Sequence, residues 1–472
     1  MGVSLNPAAL LSGQGIDVSS LVNQILAKGS GQLTEWQSEQ YTLQSQASAL
    51  NTVNNDLTNL ATAITALSDP LGAITSQAAT SSNSSVLTAT ALTTAIPGTH
   101  SIAVTNVASA GTVYSDEFSG GASGSILPSA SSGEIDLQIG GSSSTPISIT
   151  ITKGINDTLT SLAKDINSRN LGVNASVVTD ANGSRLALVS QSTGTPGALA
   201  ITSNNTSLTF AAPSGGANAV LSIDGIPYSS ATNTITGAIP GVTLNLAGGS
   251  SGNPVQVTVG PDATQATTAV NNFVTAYNQV ISDINTQFTV NTATNSEGPL
   301  GSDSSLRQLQ SSLMKDITYA IPGGGAYSGL AGLGISMNDD GTLSVDSSQL
   351  NSALSSNPSA FVSFFQNATQ TGFADTFHKD LIDLTSPTRG VLNLDLAQNK
   401  AQQQDLTKSI TNFERQLTAE QTQLTNEYNQ VNASLQAYPL LLQEVTATLG
   451  TMSWGGGSGN NGSSSPILTS GL

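Results

Sequence analysis

The chain contains no cysteine, which excludes disulfide bridges, thiolate metal sites and cysteine nucleophiles together. It has only two histidines, His100 and His378, and they stand far apart without a nearby set of metal ligands. Charged residues make up 9% of the 472 residues, and 12 Lys and Arg against 30 Asp and Glu give a formal net charge of -18. This scarcity of positive charge argues against nucleic acid and anionic lipid as partners.

The sequence also lacks the patterns of a secretory leader and of a membrane span. The N-terminal stretch MGVSLNPAALLSGQGIDVSS has no Lys or Arg before its short apolar run, unlike a signal peptide. No stretch reaches the apolar length that membrane insertion requires. If the protein leaves the cell, we expect a route that needs no cleaved leader. The many Ser, Thr, Asn and Gln residues and the 46 glycines are more typical of secreted bacterial proteins than of cytosolic enzymes.

Both ends of the chain carry apolar residues at the alternating three- and four-residue spacing of a coiled-coil seam. The N-terminal seam consists of Leu33, Trp36, Leu43, Leu50, Val53, Leu57, Leu60 and Ile64. The C-terminal seam consists of Leu406, Ile410, Phe413, Leu417, Leu424, Tyr428, Val431 and Leu435. Because one helix cannot bury such a seam alone, the terminal helices are predicted to pair with each other. The C-terminal pattern continues through Tyr438, Leu442, Val445, Leu449 and Met452, although Pro439 interrupts it.

Such a seam has two explanations, an intramolecular helix pair or an assembly interface. The helix pair is the more common case in general. The length of the seams and the scarcity of opposite charges on their flanks make an assembly interface credible here. We therefore expect the residues of both seams to serve as a coiled-coil or assembly surface, with the outer ends becoming ordered only on docking.

Local signals predict where the terminal helices begin and end. Asp17 is placed to cap a first helix, and Gly29-Ser30-Gly31 is expected to interrupt it. The second helix should end at Asp69-Pro70-Leu71-Gly72, because proline cannot continue the helical hydrogen bonds.

The middle of the chain changes to the two-residue alternation of half-buried strands, as in HSIAV, EIDLQIG and PISITI. A short helix, capped by Asn156 or Asp157, is predicted among the strands, and Asn182-Gly183 is predicted to form a hairpin turn. Two β-rich domains, or one β-rich domain split by an insertion, fit this pattern equally well.

The helical period returns after Asp262, with a tight hairpin predicted at Asn338-Asp339-Asp340-Gly341 and a helix start at Asn357-Pro358. Five of the 10 phenylalanines cluster here and should form a core. They are Phe361, Phe364, Phe365, Phe373 and Phe377.

The predicted fold class is α+β, with an antiparallel coiled coil of terminal helices carrying a helical subdomain and one or two β-rich head domains. The expected divisions are a disordered N-terminus (1–16), an N-terminal helical leg (17–72), a β-rich head domain with a short helix (80–213), a second β-rich head domain (214–260), a mainly helical domain with a β-hairpin (261–390), a C-terminal helical leg (391–452) and a flexible tail (453–472).

Patterns that would indicate catalysis or cofactor binding are weak throughout the chain. Ser161 and Ser312 each stand three residues before a lysine, but helices produce this spacing by chance. The Asn338–Gly341 segment lacks the full ligand series of a calcium loop. No Gly-Lys dipeptide exists, which excludes a phosphate-binding P-loop. We expect no enzyme activity, no catalytic or metal-binding residues and no cofactor.

An ordered series of segments resembles one known family. The segments are GIDVSSLVNQIL, IPGTHSIAVTNVASAGTVYSDEF, SIDGIPYSSATNTITGAIPGVTLNL, GPLGSDSSLRQL, LAGLGISMNDDGTLSVD and RGVLNLDLAQNKAQQQDLTKSITNFERQL. They resemble, in this order, the cap family of the bacterial flagellar filament, known as hook-associated protein 2, across about residues 15 to 435. The chain departs from the family at Gly29-Ser30-Gly31 and by the absence of a methionine-rich ending.

The resemblance implies a non-enzymatic protein that is exported without a cleaved leader and retained at the filament tip. There it would help flagellin subunits fold and insert, and would prevent their escape. The implied partners are copies of itself in a pentamer-like ring, flagellin, the hook–filament junction proteins and a cytosolic export chaperone. The alternative is a secreted surface adhesin, with a helical stalk and a β-rich head that binds glycans.

Overall fold

The computed structural model describes residues 17–250, 252–292, 296–321 and 326–451. The chain divides into two compact units. The first comprises the described parts of Met1–Asn55, Asp283–Leu309 and Asp383–Leu472, and the second comprises those of Asp56–Ser282 and Gln310–Ile382. The segments predicted as a disordered N-terminus and a flexible tail, together with Met452, lie outside the described residues. In the described ranges, no helix combines the length and the hydropathy needed to cross a membrane.

Two helices come first, strands with one short helix occupy the middle of the chain, and helices with one hairpin follow, as the sequence pattern predicts. The helices are α1 (Val18–Gly29), α2 (Gly31–Ser68), α3 (Leu159–Ser168), α4 (Ala263–Phe288), α5 (Ser304–Ile317), α6 (Ser347–Ser356), α7 (Pro358–Phe365), α8 (Phe373–Thr385) and α9 (Val391–Thr451). The strands are β1 (Gln77–Ser81), β2 (Leu87–Ala91), β3 (Gly98–Asn106), β4 (Ala110–Tyr114), β5 (Ser132–Ile139), β6 (Ile147–Thr152), β7 (Val173–Thr179), β8 (Ser184–Thr193), β9 (Leu199–Asn204), β10 (Ala219–Ile223), β11 (Ile226–Ser230), β12 (Thr234–Ile239), β13 (Val242–Leu246), β14 (Val255–Pro261), β15 (Ile335–Met337) and β16 (Leu343–Val345). The fold class is α+β, as predicted.

Several predicted helix ends are confirmed by their hydrogen bonds. The Asp17 carboxylate accepts from the backbone N–H of Ser20 at 3.0 Å and so caps α1. Only Ser30 separates α1 from α2, so the predicted interruption is a single residue. α2 ends before Pro70, and the Asn357 side chain caps α7 by accepting from Ala360 N–H at 3.2 Å.

The first β-rich core is built from strands that are distant in the sequence. A five-stranded antiparallel sheet has the order β1-β14-β3-β10-β11, and a three-stranded sheet has the order β12-β13-β2. Their buried side chains form one hydrophobic cluster that includes Ile102, Leu221, Leu244 and Val257. This pairing matches the alternative of one β-rich domain split by an insertion. The expected division into 80–213 and 214–260 does not follow the hydrophobic cores, because β2 and β3 pair with strands beyond residue 213.

The insertion has its own hydrophobic core. The sheets β4-β8-β7 and β6-β5-β9 and the helix α3 bury Leu137, Ile149, Leu162 and Leu188 together, among others. β7 and β8 form the hairpin predicted around Asn182-Gly183.

The predicted cap of α3 was wrong. Thr158 caps this helix in a capping box with Ser161, because its Oγ1 accepts from Ser161 N–H at 3.1 Å. Asn156 instead bonds the backbone of β6, where its Oδ1 accepts from Thr152 N–H at 2.7 Å. Asp157 is occupied as well, since it accepts from Gly154 N–H at 2.9 Å.

The insertion leaves and rejoins the first β-rich core at neighbouring points. Ser109 N–H donates to the carbonyl of Ala217 at 2.9 Å. Thr112 and Ser214 exchange two backbone hydrogen bonds at 2.7 and 2.9 Å. These hydrogen bonds hold the two ends of the insertion next to each other, so the first core is continuous although the insertion interrupts its sequence.

The predicted phenylalanine cluster forms the core of the helical part of the second unit. Phe361, Phe364, Phe365, Phe373 and Phe377 are all buried, at 1% exposure or less. The Phe373 ring lies 5.7 Å from that of Phe273 on α4 and 5.6 Å from that of Phe377. The contact with Phe273 is edge-to-face, one of the favoured aromatic geometries.

Two titratable side chains, the buried Tyr277 and the half-buried Asp316, lie near this core. The Tyr277 hydroxyl is fully buried and, in the described part of the chain, accepts and donates no hydrogen bond. Burial and the nearby Asp316 carboxylate raise the pKa of Tyr277. Burial, and next the repulsion of the Asp380 carboxylate, raise the pKa of Asp316 to about 6. Tyr277, Asp316 and Asp380 lie on α4, α5 and α8.

We expect Asp316→Asn to stabilise the protein at neutral pH. Because folding raises the pKa of Asp316, the native state binds more protons than the unfolded chain between about pH 4 and 6. The contribution of this carboxyl to stability is therefore complete below about pH 4 and is lost as the pH rises through about 6. Since the side chain is only partly buried, the gain at pH 7.5 should be about 1 kcal/mol.

Urea unfolding of the parent and Asp316→Asn at pH 4 and pH 7.5 measures this difference. Asp339→Asn, on an exposed turn, is the control for removing one negative charge. An equal effect of Asp316→Asn at both pH values would contradict the raised pKa of Asp316 as the cause of the stabilisation.

Candidate assembly interface of the terminal helices

In the first unit, α2 and α9 pack side by side in antiparallel orientation. Near the outer end of the pair, the Trp36 and Phe413 rings meet edge-to-face with centroids 5.5 Å apart. Further along, Leu43 and Ile410 are buried, at 9% and 8% exposure. α1 also contacts α9 and buries Val18 among its residues. The predicted antiparallel pairing of the terminal helices is therefore confirmed.

Polar side chains also hold the two helices together. Gln40 Nε2 donates to Thr407 Oγ1 at 3.1 Å. Gln403 Nε2 donates to the Leu43 carbonyl at 3.3 Å and to Asn399 Oδ1 at 2.6 Å. These contacts continue the interface inward from the aromatic pair.

The same polar chain reaches Gln46. Asn399 Nδ2 donates to Gln46 Oε1 at 3.4 Å, and Asn399 is only 5% exposed. We call Gln46, Asn399 and Gln403 the polar ladder.

The sequence prediction missed the polar ladder because it counted only apolar residues. Continuing the spacing inward from Leu406 by three and then four residues reaches Gln403 and Asn399. On α2, Gln46 stands three residues after Leu43. These amides thus occupy seam positions on both helices. A search for amide residues at matching seam positions would have found them.

The structure places the predicted seam residues in three classes of exposure. Buried are Leu43, Leu50, Val53, Leu57, Leu60, Ile64 and Ile410. Half-buried are Leu33, Trp36, Leu406, Phe413, Leu417, Leu424, Tyr428 and Leu435. Val431 is exposed at 44%. Burial therefore decreases along α9 from Ile410 toward its C-terminal end, and the assembly role of these residues stays a prediction.

The last part of α9 carries large apolar side chains that no described residue covers. We call it the apolar end of α9, and its members are Val431, Tyr438, Leu440, Leu441, Leu442, Val445 and Leu449, all 44% to 68% exposed. Glu444 is the one charged residue between Val431 and Thr451. An exposed apolar stretch of this kind typically marks an interaction surface.

Pro439 lies inside α9 and does not end it, contrary to the expected interruption of the seam. Proline removes one helical hydrogen bond, but its fixed φ is compatible with a helix. The surface beyond Pro439 therefore continues on the same helix.

The other sequence candidates have structural roles. Ser161 belongs to the capping box of α3, and the Asn338–Gly341 segment is the turn between β15 and β16. His378 Nδ1 lies 3.2 Å from Ser68 Oγ. His100 Nδ1 lies 2.8 Å from Asp224 Oδ2, and this hydrogen bond lowers the pKa of the Asp224 carboxyl.

Comparison with known protein families gives three matches along the chain. The model of the flagellar hook-associated protein 2 N-terminus matches residues 14–111, and the model of its C-terminus matches residues 216–438. Between them, the flagellin hook IN motif matches residues 134–192. The two terminal models thus contain α1, α2 and most of α9, and the motif lies within the insertion.

Individual relatives agree with these matches. The B-type flagellar hook-associated protein 2 of Pseudomonas aeruginosa is 26% identical, over 93% of this chain and 97% of the relative. The flagellar hook-associated protein 2 of Escherichia coli (strain K12) is 28% identical, over 80% of this chain and 84% of the relative. The crystal structure of the flagellar cap protein FliD D1-D2-D3 domains from Escherichia coli has a TM-score of 0.54 and 27% identity, covering 74% of this chain and 99% of that one.

Proposed function

The chain belongs to the flagellar hook-associated protein 2 family, and on this premise we propose that it caps the distal end of a bacterial flagellar filament. The observation that carries the proposal is the likeness in both sequence and fold to the cap protein of Escherichia coli, which covers about three quarters of this chain. None of the relatives named above is an adhesin, so the alternative of a glycan-binding surface protein has no support from them.

The proposed role is structural and needs no catalytic residue. A cap at the filament tip holds flagellin subunits that arrive there, promotes their folding and insertion, and prevents their loss. Its place is outside the cell, at the tip of the filament. Copies of the chain would close into a pentamer-like ring through a head-to-tail interface, since only such an interface generates a ring.

The apolar end of α9 is the surface that we assign to the filament. It continues the helix that pairs with α2, and its side chains are exposed in the single chain. Flagellin is the partner that fits the premise, because a cap must hold the filament while each new subunit enters. Hook–filament junction proteins and a cytosolic export chaperone belong to the same proposal as further partners.

Deletion of the gene tests this function. We expect cells without it to shed monomeric flagellin into the medium and to make short filaments or none. Expression of this chain from a plasmid should restore full filaments and stop the shedding. Full filaments with no shed flagellin in the deletion strain would show that the proposal is wrong.

A further inference from the structure

We propose that the polar ladder of Gln46, Asn399 and Gln403 sets the register between α2 and α9. Apolar heptad seams repeat, so a helix shifted by seven residues can still pack apolar residues against apolar residues. A buried amide has no such freedom, because a shift would leave its polar atoms without partners. Asn399 is 5% exposed and bonds both Gln46 and Gln403.

The ladder also contacts the backbone of the opposite helix. Gln403 Nε2 donates to the Leu43 carbonyl at 3.3 Å. This carbonyl lies within a helix, and a second donor to it is possible because a carbonyl oxygen has two lone pairs. Because main-chain carbonyls recur at every residue, the side-chain contact is what specifies the alignment. A slip of one heptad would place Leu392 or Leu406 opposite Gln46 instead of Asn399.

The register determines where the apolar end of α9 lies relative to α1 and α2. A slip of one heptad would move it by about 10.5 Å along the leg. This consequence rests on the proposed function, since it matters for docking on the filament. The alignment of the two helices is independent of that function and can be measured in the purified chain.

The absence of cysteine allows a direct test with pairs of introduced cysteines in the full chain. Gln40→Cys with Thr407→Cys reports the observed register, because Gln40 Nε2 and Thr407 Oγ1 form a hydrogen bond of 3.1 Å across the helix pair. Gln40→Cys with Lys400→Cys or with Glu414→Cys reports a shift of one heptad in either direction. A disulfide requires Cα atoms within about 7 Å, and a slip of one heptad moves the two helices by about 10.5 Å, so each pair can form a disulfide in only one of the three registers.

In the parent background, we expect oxidation to cross-link the Gln40→Cys/Thr407→Cys pair and to leave both shifted pairs free. With Asn399→Leu and Gln403→Leu added, the shifted pairs should cross-link at least about tenfold more, because the apolar seam alone permits both alignments. Gln404→Leu, on the exposed side of α9, is the matched control and should change nothing. Asn399→Gln, with Gln403 unchanged, keeps an amide at this position and should keep the single register.

Circular dichroism verifies that every variant keeps its helices. Unchanged cross-linking in the folded Asn399→Leu/Gln403→Leu chain would overturn the proposal, because the other contacts between α2 and α9 would then suffice to fix the register. If the parent cross-links in one register yet fails to restore full filaments in the deletion strain, the proposed function is wrong and the register assignment stands.

Discussion

Replacing Tyr438, Leu442, Val445 and Leu449 by glutamine should abolish filament capping while leaving the fold intact. These four side chains are 48% to 63% exposed, so they contribute little to the stability of the single chain. Glutamine is a good helix former, and α9 should therefore keep its conformation. Burying each apolar side chain at a docking interface contributes about 1.5 to 3 kcal/mol. Losing four such contacts should weaken filament binding by at least about a thousandfold.

Co-sedimentation of the purified variant with flagellin filaments measures binding, and shed flagellin in a complemented deletion strain measures capping. The chain offers a matched pair of single substitutions, Leu442→Gln and Leu440→Gln. Both leucines are exposed, at 52% and 68%, but they lie about 200° apart around the helix. We expect the Leu442 variant to bind more weakly than the Leu440 variant, because Leu442 shares one face of α9 with Tyr438, Val445 and Leu449, and we assign the filament contact to that face of the apolar end. Parental binding by the fourfold variant would refute the assignment of this surface.

Phe373→Ala should be the most destabilising single substitution in the helical part of the second unit. The Phe373 ring is fully buried and contacts four other rings, those of Phe273, Phe364, Phe365 and Phe377. Truncation to alanine leaves a cavity the size of a phenyl ring, and such cavities cost about 3 to 5 kcal/mol. The ring contacts that are lost add to this cost.

Urea unfolding followed by far-ultraviolet circular dichroism measures the free energy difference. Phe373→Leu fills most of the cavity and should cost about 1.5 kcal/mol, which separates the effect of volume from that of aromatic contact. Phe210→Ala, at a half-buried site in the insertion, gives a comparison outside this cluster. A loss below about 1 kcal/mol for Phe373→Ala would show that the cluster can collapse around the missing ring.

Short-range features of this fold could be predicted from the sequence because their causes are local. Asp17 caps α1 through a residue three positions later, and Asn357 caps α7 in the same way. Asn182-Gly183 belongs to the four-residue loop between β7 and β8, and the Asp180 carboxylate closes this loop by accepting from the N–H groups of both residues. The phenylalanine cluster was predictable because its five members lie close in the sequence and share one chemical character.

Long-range pairing could not be predicted in this way. Nothing local in β3 indicates that His100 lies opposite Val257. The alternation within a strand shows which of its faces is buried but does not show which strand lies beside it. The cap of α3 was missed since three adjacent residues, Asn156, Asp157 and Thr158, are all good caps. The turn after β6 occupies Asn156 and Asp157 through Thr152 N–H and Gly154 N–H, and the distant Ser125 hydroxyl also donates to Asp157. Thr158 is left as the cap.

The seams were only partly predictable, because apolar spacing identifies apolar contacts and leaves polar contacts unidentified. Apolar spacing identified Trp36, Phe413 and Ile410 as members of a helix pair, and the structure brings Trp36 and Phe413 together. The buried amide of Asn399 has no apolar signal of its own. Its role is identified only from the structure, in which Gln46 of α2 lies opposite Asn399 and accepts its hydrogen bond.

The pairing of distant segments has a consequence for the time at which the chain can fold. β1 has Gln77 opposite Pro261, and Trp36 of α2 meets Phe413 of α9. A chain that emerges N-terminus first therefore holds these early segments without partners until most of the later residues have followed. The insertion differs, because its strands pair among themselves and its core can form before the later residues are made. The first β-rich core and the pair of α2 and α9 therefore close last, and pairings between such distant residues are slow to form.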